Sequence, residues 1–234
     1  MLAASLVGCL ILAVVPWVWA GDPAKVAPKK DSSEPAWESL FDGKTLQGWK
    51  TPQFGGEGKV YVKDGAIVME RGDAMTGITW TGKVPTMDYE LQFEAKRVEG
   101  VDFFATTTFP VGNTHCSFVV GGWGGPVVGL SSIDYYDASE NETTRTKDFK
   151  LNQWYRIRIR VTRGKIECWI DDEQMVDLDT HGKKISIRFE CDLCRPLGIS
   201  TWCTTGAVRN IRIRRLGTES GAAPAADPPA HNPR

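Results

Sequence analysis

The feature that most constrains this chain is a strict alternation of apolar and polar residues. Tyr155, Ile157, Ile159 and Val161 interleave with Arg156, Arg158 and Arg160. Tyr89, Leu91, Phe93 and Ala95 interleave with Glu90, Gln92, Glu94 and Lys96. A period of two puts one set of side chains on each face of a strand, so these segments read as antiparallel strands with one buried and one solvated face. In the 60–69 stretch, Asp64-Gly65 separates two β-prone runs and signals a hairpin. A second hairpin is expected from 166–170, Asp171-Asp172 and 174–176, and further strands from the alternation of Ile185, Ile187 and Phe189 and from 209–215. Residues 36–216 carry no sustained helical period. Short strands at this spacing predict an all-β domain, a sandwich or jelly roll of two antiparallel sheets.

The flanks read differently. Residues 1–20 hold no charged side chain, and Val18-Trp19-Ala20 offers a cleavable small residue before Gly21, so the segment reads as a signal peptide. Left uncleaved, it is long enough to anchor in a bilayer, which would be the only membrane association. Leu6-Val7-Gly8-Cys9 resembles a lipoprotein box but opens the apolar run instead of closing it. Residues 21–35 form a polar linker, and residues 217–234 an Ala/Pro-rich tail, both too poor in large apolar groups to offset their ordering entropy. The expected location is secreted or periplasmic, with envelope association left open.

Charge excludes some partners. With 28 Lys and Arg against 29 Asp and Glu, the net charge of −1 supplies no basic surface for nucleic acid. The glycines of Gly121-Gly122-Trp123-Gly124-Gly125 precede neither a Lys-Ser/Thr pair nor a helix, so no nucleotide is expected. Once residues 1–20 are removed, Cys116, Cys168, Cys191, Cys194 and Cys203 remain, an odd set read as buried or bridged. Zinc would need a second regularly spaced pair, which they lack, so no metal is assigned to them.

Several motifs resemble a known family. Trp37-Glu38-Ser39-Leu40-Phe41-Asp42-Gly43-Lys44-Thr45-Leu46-Gln47-Gly48-Trp49 opens the domain, and Val62-Lys63-Asp64-Gly65-Ala66-Ile67-Val68 and Asp88-Tyr89-Glu90-Leu91 follow. Gln153-Trp154-Tyr155, Trp169-Ile170-Asp171-Asp172 and Val208-Arg209-Asn210-Ile211-Arg212-Ile213 complete the series. Together they resemble the 3-keto-disaccharide hydrolase-like domain family over most of residues 36–216. The resemblance implies a concanavalin-like β-sandwich, export, and hydrolysis of glycosides oxidised at sugar C3. The middle of the chain departs from the commonest family pattern at Asp102-Phe103-Phe104-Ala105, His115-Cys116-Ser117-Phe118 and Gly198-Ile199-Ser200-Thr201-Trp202. The chain thus reads as a divergent branch whose catalytic residues are not carried over by motif.

Candidate residues follow from chemistry. A 3-keto group acidifies the C2 proton, so cleavage needs a base near C2 and a cation or donor at the developing enolate. Asp102, Glu190 and His115 are the candidate bases and Arg188 the cation. Trp123, between two Gly-Gly pairs, is a candidate stacking platform, whereas Trp202 reads as core. Asp134, Tyr136, Asp137 and Asn141 lie in an oxygen-rich run suited to sugar hydroxyls, and a hard cation such as calcium would also suit it. Asp102, Trp123, the Asp134 to Asn141 loop and the Arg188/Glu190 face are expected to form one pocket, with Arg188 and Glu190 on the strand face opposite Ile187 and Phe189. The leading expectation is an exported hydrolase of 3-keto-disaccharides or 3-keto-glycosides. A non-catalytic, lectin-like carbohydrate-binding module of the envelope and a structural interaction domain are the other readings.

Overall fold

A computed structural model of the chain describes residues 35–217. The expected signal segment, residues 21–34 of the linker and residues 218–234 of the tail lie outside the described residues. Two antiparallel sheets pack face to face. The first runs β13 (Glu173–Asp179), β12 (Lys165–Ile170), β11 (Tyr155–Thr162), β6 (Tyr89–Glu99), β15 (Thr205–Arg215), β4 (Ala66–Met69), β3 (Val60–Lys63), with β1 (Glu38–Ser39) against β15. The second runs β10 (Arg145–Thr146), β9 (Val127–Ser131), β8 (Thr114–Gly122), β7 (Thr106–Val111), β14 (Gly198–Trp202), β5 (Met75–Trp80), β2 (Trp49–Lys50).

The alternation in sequence becomes two faces of the first sheet. Leu91, Phe93, Ile157, Ile159, Ile166 and Ile213 turn inward onto Ile78, Phe109, Phe118, Leu130 and Ile199 of the second sheet. Burial of this set removes apolar area from water at roughly 25 cal/mol per Å², the main favourable contribution to folding. Outward, Glu90 is buried beneath Arg158 (3.3 Å) and Arg214 (2.7 Å). Arginines also cover the tryptophans of that face: Arg158 lies 3.7 Å over Trp169, Arg209 4.1 Å over Trp154, and Arg212 4.6 Å over Trp37. The Asp64-Gly65 hairpin forms with both residues at positive φ (50° and 74°), the two-residue turn whose twist matches its strands.

One expected strand is absent. Ile185 makes only an isolated bridge with Ile133, and Phe189–Cys194 is a single 3-10 helix with Phe189 82% exposed. The apolar alternation of Ile185, Ile187 and Phe189 therefore marks no sheet face, and the strand parity expected for Arg188 and Glu190 does not apply. The residues that bury are Cys191 and Cys194, three apart, which is the repeat of a 3-10 turn.

Candidate functional site

Strands β5, β14, β7, β8 and β9 alternate between the core and an outer face made of small polar groups. On β7, Phe109 enters the core while Thr106 and Thr108 face out. Thr108 pairs across to Ser117 of β8 through their hydroxyls at 2.9 Å, and Ser117 stands in register with Ser131 of β9. The 3-10 helix lies over one end of this face, held by Thr79 Oγ1 donating to the Leu193 carbonyl at 2.9 Å. Gly198 permits that approach, because a Cβ there would lie 2.6 Å from the Cys194 carbonyl oxygen. The uncovered remainder is a cavity of about 250 Å³. Thr106, Ser117 and Ser131 form its floor, Met75, Phe103, Val119 and Trp202 its walls. Asp102, Trp123, Arg188 and Glu190 line it as well.

The turn that presents Trp123 is built by glycines and held from two sides. Gly121 (φ 80°), Gly124 (81°) and Gly125 (127°) adopt conformations that L side chains avoid, and Trp123 itself sits at φ 49° with 44% exposure. Asp102 Oδ2 accepts the Gly124 N–H at 3.0 Å, and Oδ1 accepts the Phe103 N–H at 2.7 Å. From beneath, Arg97 Nη2 donates to the carbonyls of Gly121 (3.3 Å) and Gly125 (3.2 Å). The Arg97 guanidinium is buried against the Phe104 and Phe149 rings at 5.1 and 5.7 Å. Burial draws its pKa below the ordinary arginine value, and the Asp102 charge opposes that fall.

Across the cavity, Arg188 is held between two carboxylates. Its Nε and Nη2 donate to Glu190 Oε2 (3.2 Å) and Oε1 (2.8 Å), and Nη1 donates to Asp137. Hydrogen bonding from Arg188 lowers the Glu190 pKa, while Glu190 and then Asp137 raise that of Arg188. Asp137 Oδ1 in turn accepts Ser131 Oγ (3.1 Å) and Ser132 Oγ (3.2 Å), tying the cation to the cavity floor.

The other expected residues do not line this cavity. His115 lies on β8 opposite Pro110, partly buried, and burial lowers its pKa so that the ring is uncharged at neutral pH. Asp134 Oδ1 accepts the Lys184 N–H at 2.9 Å, and its Oδ2 pairs with Lys183 Nζ at 3.4 Å. Tyr136 is 59% exposed and closes a backbone turn with Ile133. Asn141 organises its loop: Nδ2 donates to the carbonyls of Leu130 and Asp137, and Oδ1 accepts from Thr143. Of the oxygen-rich run, then, only Asp137 reaches the cavity, through Arg188. Among the described residues, no three His, Cys, Asp or Glu side chains converge as a metal site. Sequence reasoning missed Thr106, Phe103, Met75 and Arg97, and it read Trp202, a wall residue 6.2 Å from the Phe103 ring, as core.

Residues 36–214 match the 3-keto-alpha-glucoside-1,2-lyase-like domain. The chain belongs to that family. Membership places this lyase-like domain among carbohydrate-related proteins. None of the curated proteins matches it in sequence. Solved structures share its fold at low identity. Apo Crh5 transglycosylase superposes with a TM-score of 0.53 at 14% identity, covering 78% of this chain and 84% of that one. Domain 4 of AbnA, a GH43 extracellular arabinanase from Geobacillus stearothermophilus in complex with arabinotriose, gives 0.51 at 15%, covering 78% and 92%. The exoplasmic/lumenal domain of VIP36 in its Ca2+/Man3GlcNAc-bound form gives 0.51 at 10%, covering 77% and 89%. At these identities the likeness establishes the β-sandwich.

Proposed function

We propose that this lyase-like domain cleaves glycosides carrying a ketone at C3, at the cavity on the outer face of the second sheet. The observation that carries the reading is that Asp102, Trp123 and Arg188 line one cavity. In this reading Asp102 removes the C2 proton, the C2–H electrons form the C1=C2 bond, and the C1–O bond breaks as the leaving oxygen takes a proton. Water then adds at C1 to give net hydrolysis. Arg188 stands at the ketone oxygen as charge develops there. Both groups have capacity left: a carboxylate offers about four acceptor positions and Asp102 uses two, and a guanidinium has five N–H donors, of which three are engaged. Trp123 offers an apolar ring face to the C–H face of a sugar. Export through residues 1–20, to the periplasm or outside the cell, belongs to the same proposal.

One observation favours a second reading, a non-catalytic carbohydrate-binding module. Glu190 is held at both oxygens by Arg188, and both Asp102 oxygens accept backbone N–H groups, so each carboxylate also has a structural task. The two readings separate on turnover. The purified chain should release sugar from 3-keto-trehalose or 3-keto-lactose. Calorimetric binding without release would establish the module, and neither binding nor release would end both readings.

A further inference from the structure

The cavity on the second sheet has two unlike ends. The strands beneath it run β9, β8, β7, β14, β5. At the β9 end, Ser131 donates to Asp137, and Asp137 and Glu190 together hold Arg188. At the other end Met75 of β5 stands in register with Trp202 of β14, and the Trp202 ring lies 6.2 Å from that of Phe103. Phe103 and Trp202 are both partly exposed, so this wall is open to whatever enters. Thr106, Ser117 and Ser131 of the floor are buried beyond the reach of a ligand. Asp102, next to Phe103 in the chain, turns its carboxylate to the Trp123 loop. Charged groups thus gather at Arg188 and at the Trp123 loop, while Met75, Phe103 and Trp202 offer a thioether and aromatic rings.

We propose that the Met75–Trp202 end is the leaving-group subsite, and that the substrates are 3-keto-glycosides of apolar alcohols or phenols in preference to disaccharides. The inference rests on the proposed cleavage of 3-keto-glycosides and names the substrate class of that same site. C1 and C3 are the two neighbours of C2, and their substituents leave the ring in divergent directions. A ketone oxygen placed on Arg188 sends the C1 substituent away from that charged end, along the wall on which Phe103 follows Asp102. An aromatic or alkyl group there exchanges water for ring faces and the Met75 thioether. A second sugar would bring several hydroxyls onto the same wall, and each one stripped of water without a partner opposes binding.

The test measures kcat/KM from sugar release, for wild type and Trp202→Ala, with methyl and 2-phenylethyl 3-keto-glucosides as both anomers and with 3-keto-trehalose and 3-keto-lactose. Methanol and 2-phenylethanol are leaving groups of similar acidity, so their comparison reports contact and not bond strength. With wild type, the 2-phenylethyl glycoside of the accepted anomer should exceed the methyl glycoside and both disaccharides at least about tenfold, as burying one aromatic ring allows. Trp202→Ala should cut the ratio of 2-phenylethyl to methyl to about threefold or less. Thermal midpoints without sugar report folding, and if Trp202→Ala does not fold, the wild-type ranking decides by itself. If wild type cleaves a disaccharide as fast as the 2-phenylethyl glycoside, or folded Trp202→Ala keeps the full ratio, the leaving-group subsite is overturned while cleavage of 3-keto-glycosides stands. If wild type releases sugar from none of these compounds, the cleavage reading falls and this inference with it.

Discussion

Asp102 Oδ2 accepts the backbone N–H of Gly124 at 3.0 Å, so one carboxylate both lines the cavity and fixes the turn that carries Trp123. Two substitutions separate these tasks. Asp102→Asn keeps an oxygen for the turn but removes the base, and turnover of a 3-keto-glycoside should fall at least about 100-fold with affinity changed only severalfold. Asp102→Ala removes both tasks, and affinity should fall with turnover. Steady-state rates beside calorimetry check this, and an Asp102→Asn enzyme of wild-type rate would remove Asp102 from the chemistry.

Trp123 is a non-glycine residue at φ 49°, a conformation unfavourable by roughly 1–2 kcal/mol for an L side chain. Trp123→Gly should therefore leave the thermal midpoint unchanged or raised, while sugar affinity falls about tenfold through lost stacking. A large drop in midpoint would mean that the ring supports the fold.

The Arg188–Glu190 pair gives a pH dependence whose sign is fixed. Hydrogen bonding to Arg188 lowers the folded pKa of Glu190 below its ordinary 4.5. Its contribution is thus full above about pH 4.5 and is lost as pH falls through the lowered value. The difference in midpoint between wild type and Glu190→Gln should be constant from neutrality down to about pH 5 and shrink below about pH 4.5. For a partly exposed pair it should amount to less than about 1 kcal/mol. Thermal scans in a buffer series measure it.

Arg97 should matter more to stability than any residue of the cavity mouth. Arg97→Met leaves the Gly121 and Gly125 carbonyls without their donor, at roughly 2–3 kcal/mol. Hydrogen exchange at the Gly124 amide should accelerate in the variant, since the turn loses its lower support. Unchanged exchange would show that Asp102 alone suffices.

The first sheet was legible because its faces differ: Arg156, Arg158 and Arg160 meet solvent or partner carboxylates while Ile157 and Ile159 meet the core. The strands that build the cavity were not, for a physical reason. Every residue of β7 is buried, and Thr106, Thr107 and Thr108 carry the same side chain to opposite faces, so no contrast in polarity appears. Chemical kind alone drew attention to Asp102, Trp123, Arg188 and Glu190, which the fold gathers around one cavity. The same reasoning grouped Asp134, Tyr136 and Asn141 with them because they are near Asp137 in sequence. The loop instead engages Asp134 with lysines and Asn141 with its own backbone. Arg97 was hidden because, in sequence, it is one more charge on an alternating strand.

The cysteines lead in another direction. All five in the described residues are free, and Cys116, Cys168, Cys191 and Cys194 are buried. Burial raises all four thiols, Cys116 to about 12, so they stay protonated and resist both oxidation and exchange. They act as small apolar groups, two of them seating the 3-10 helix beside Met75. The four buried thiols therefore make the core indifferent to redox poise, which leaves the partly exposed Cys203 as the thiol among the described residues that an oxidant reaches; with Cys203 replaced by Ser, the thermal midpoint should be the same with and without a reductant.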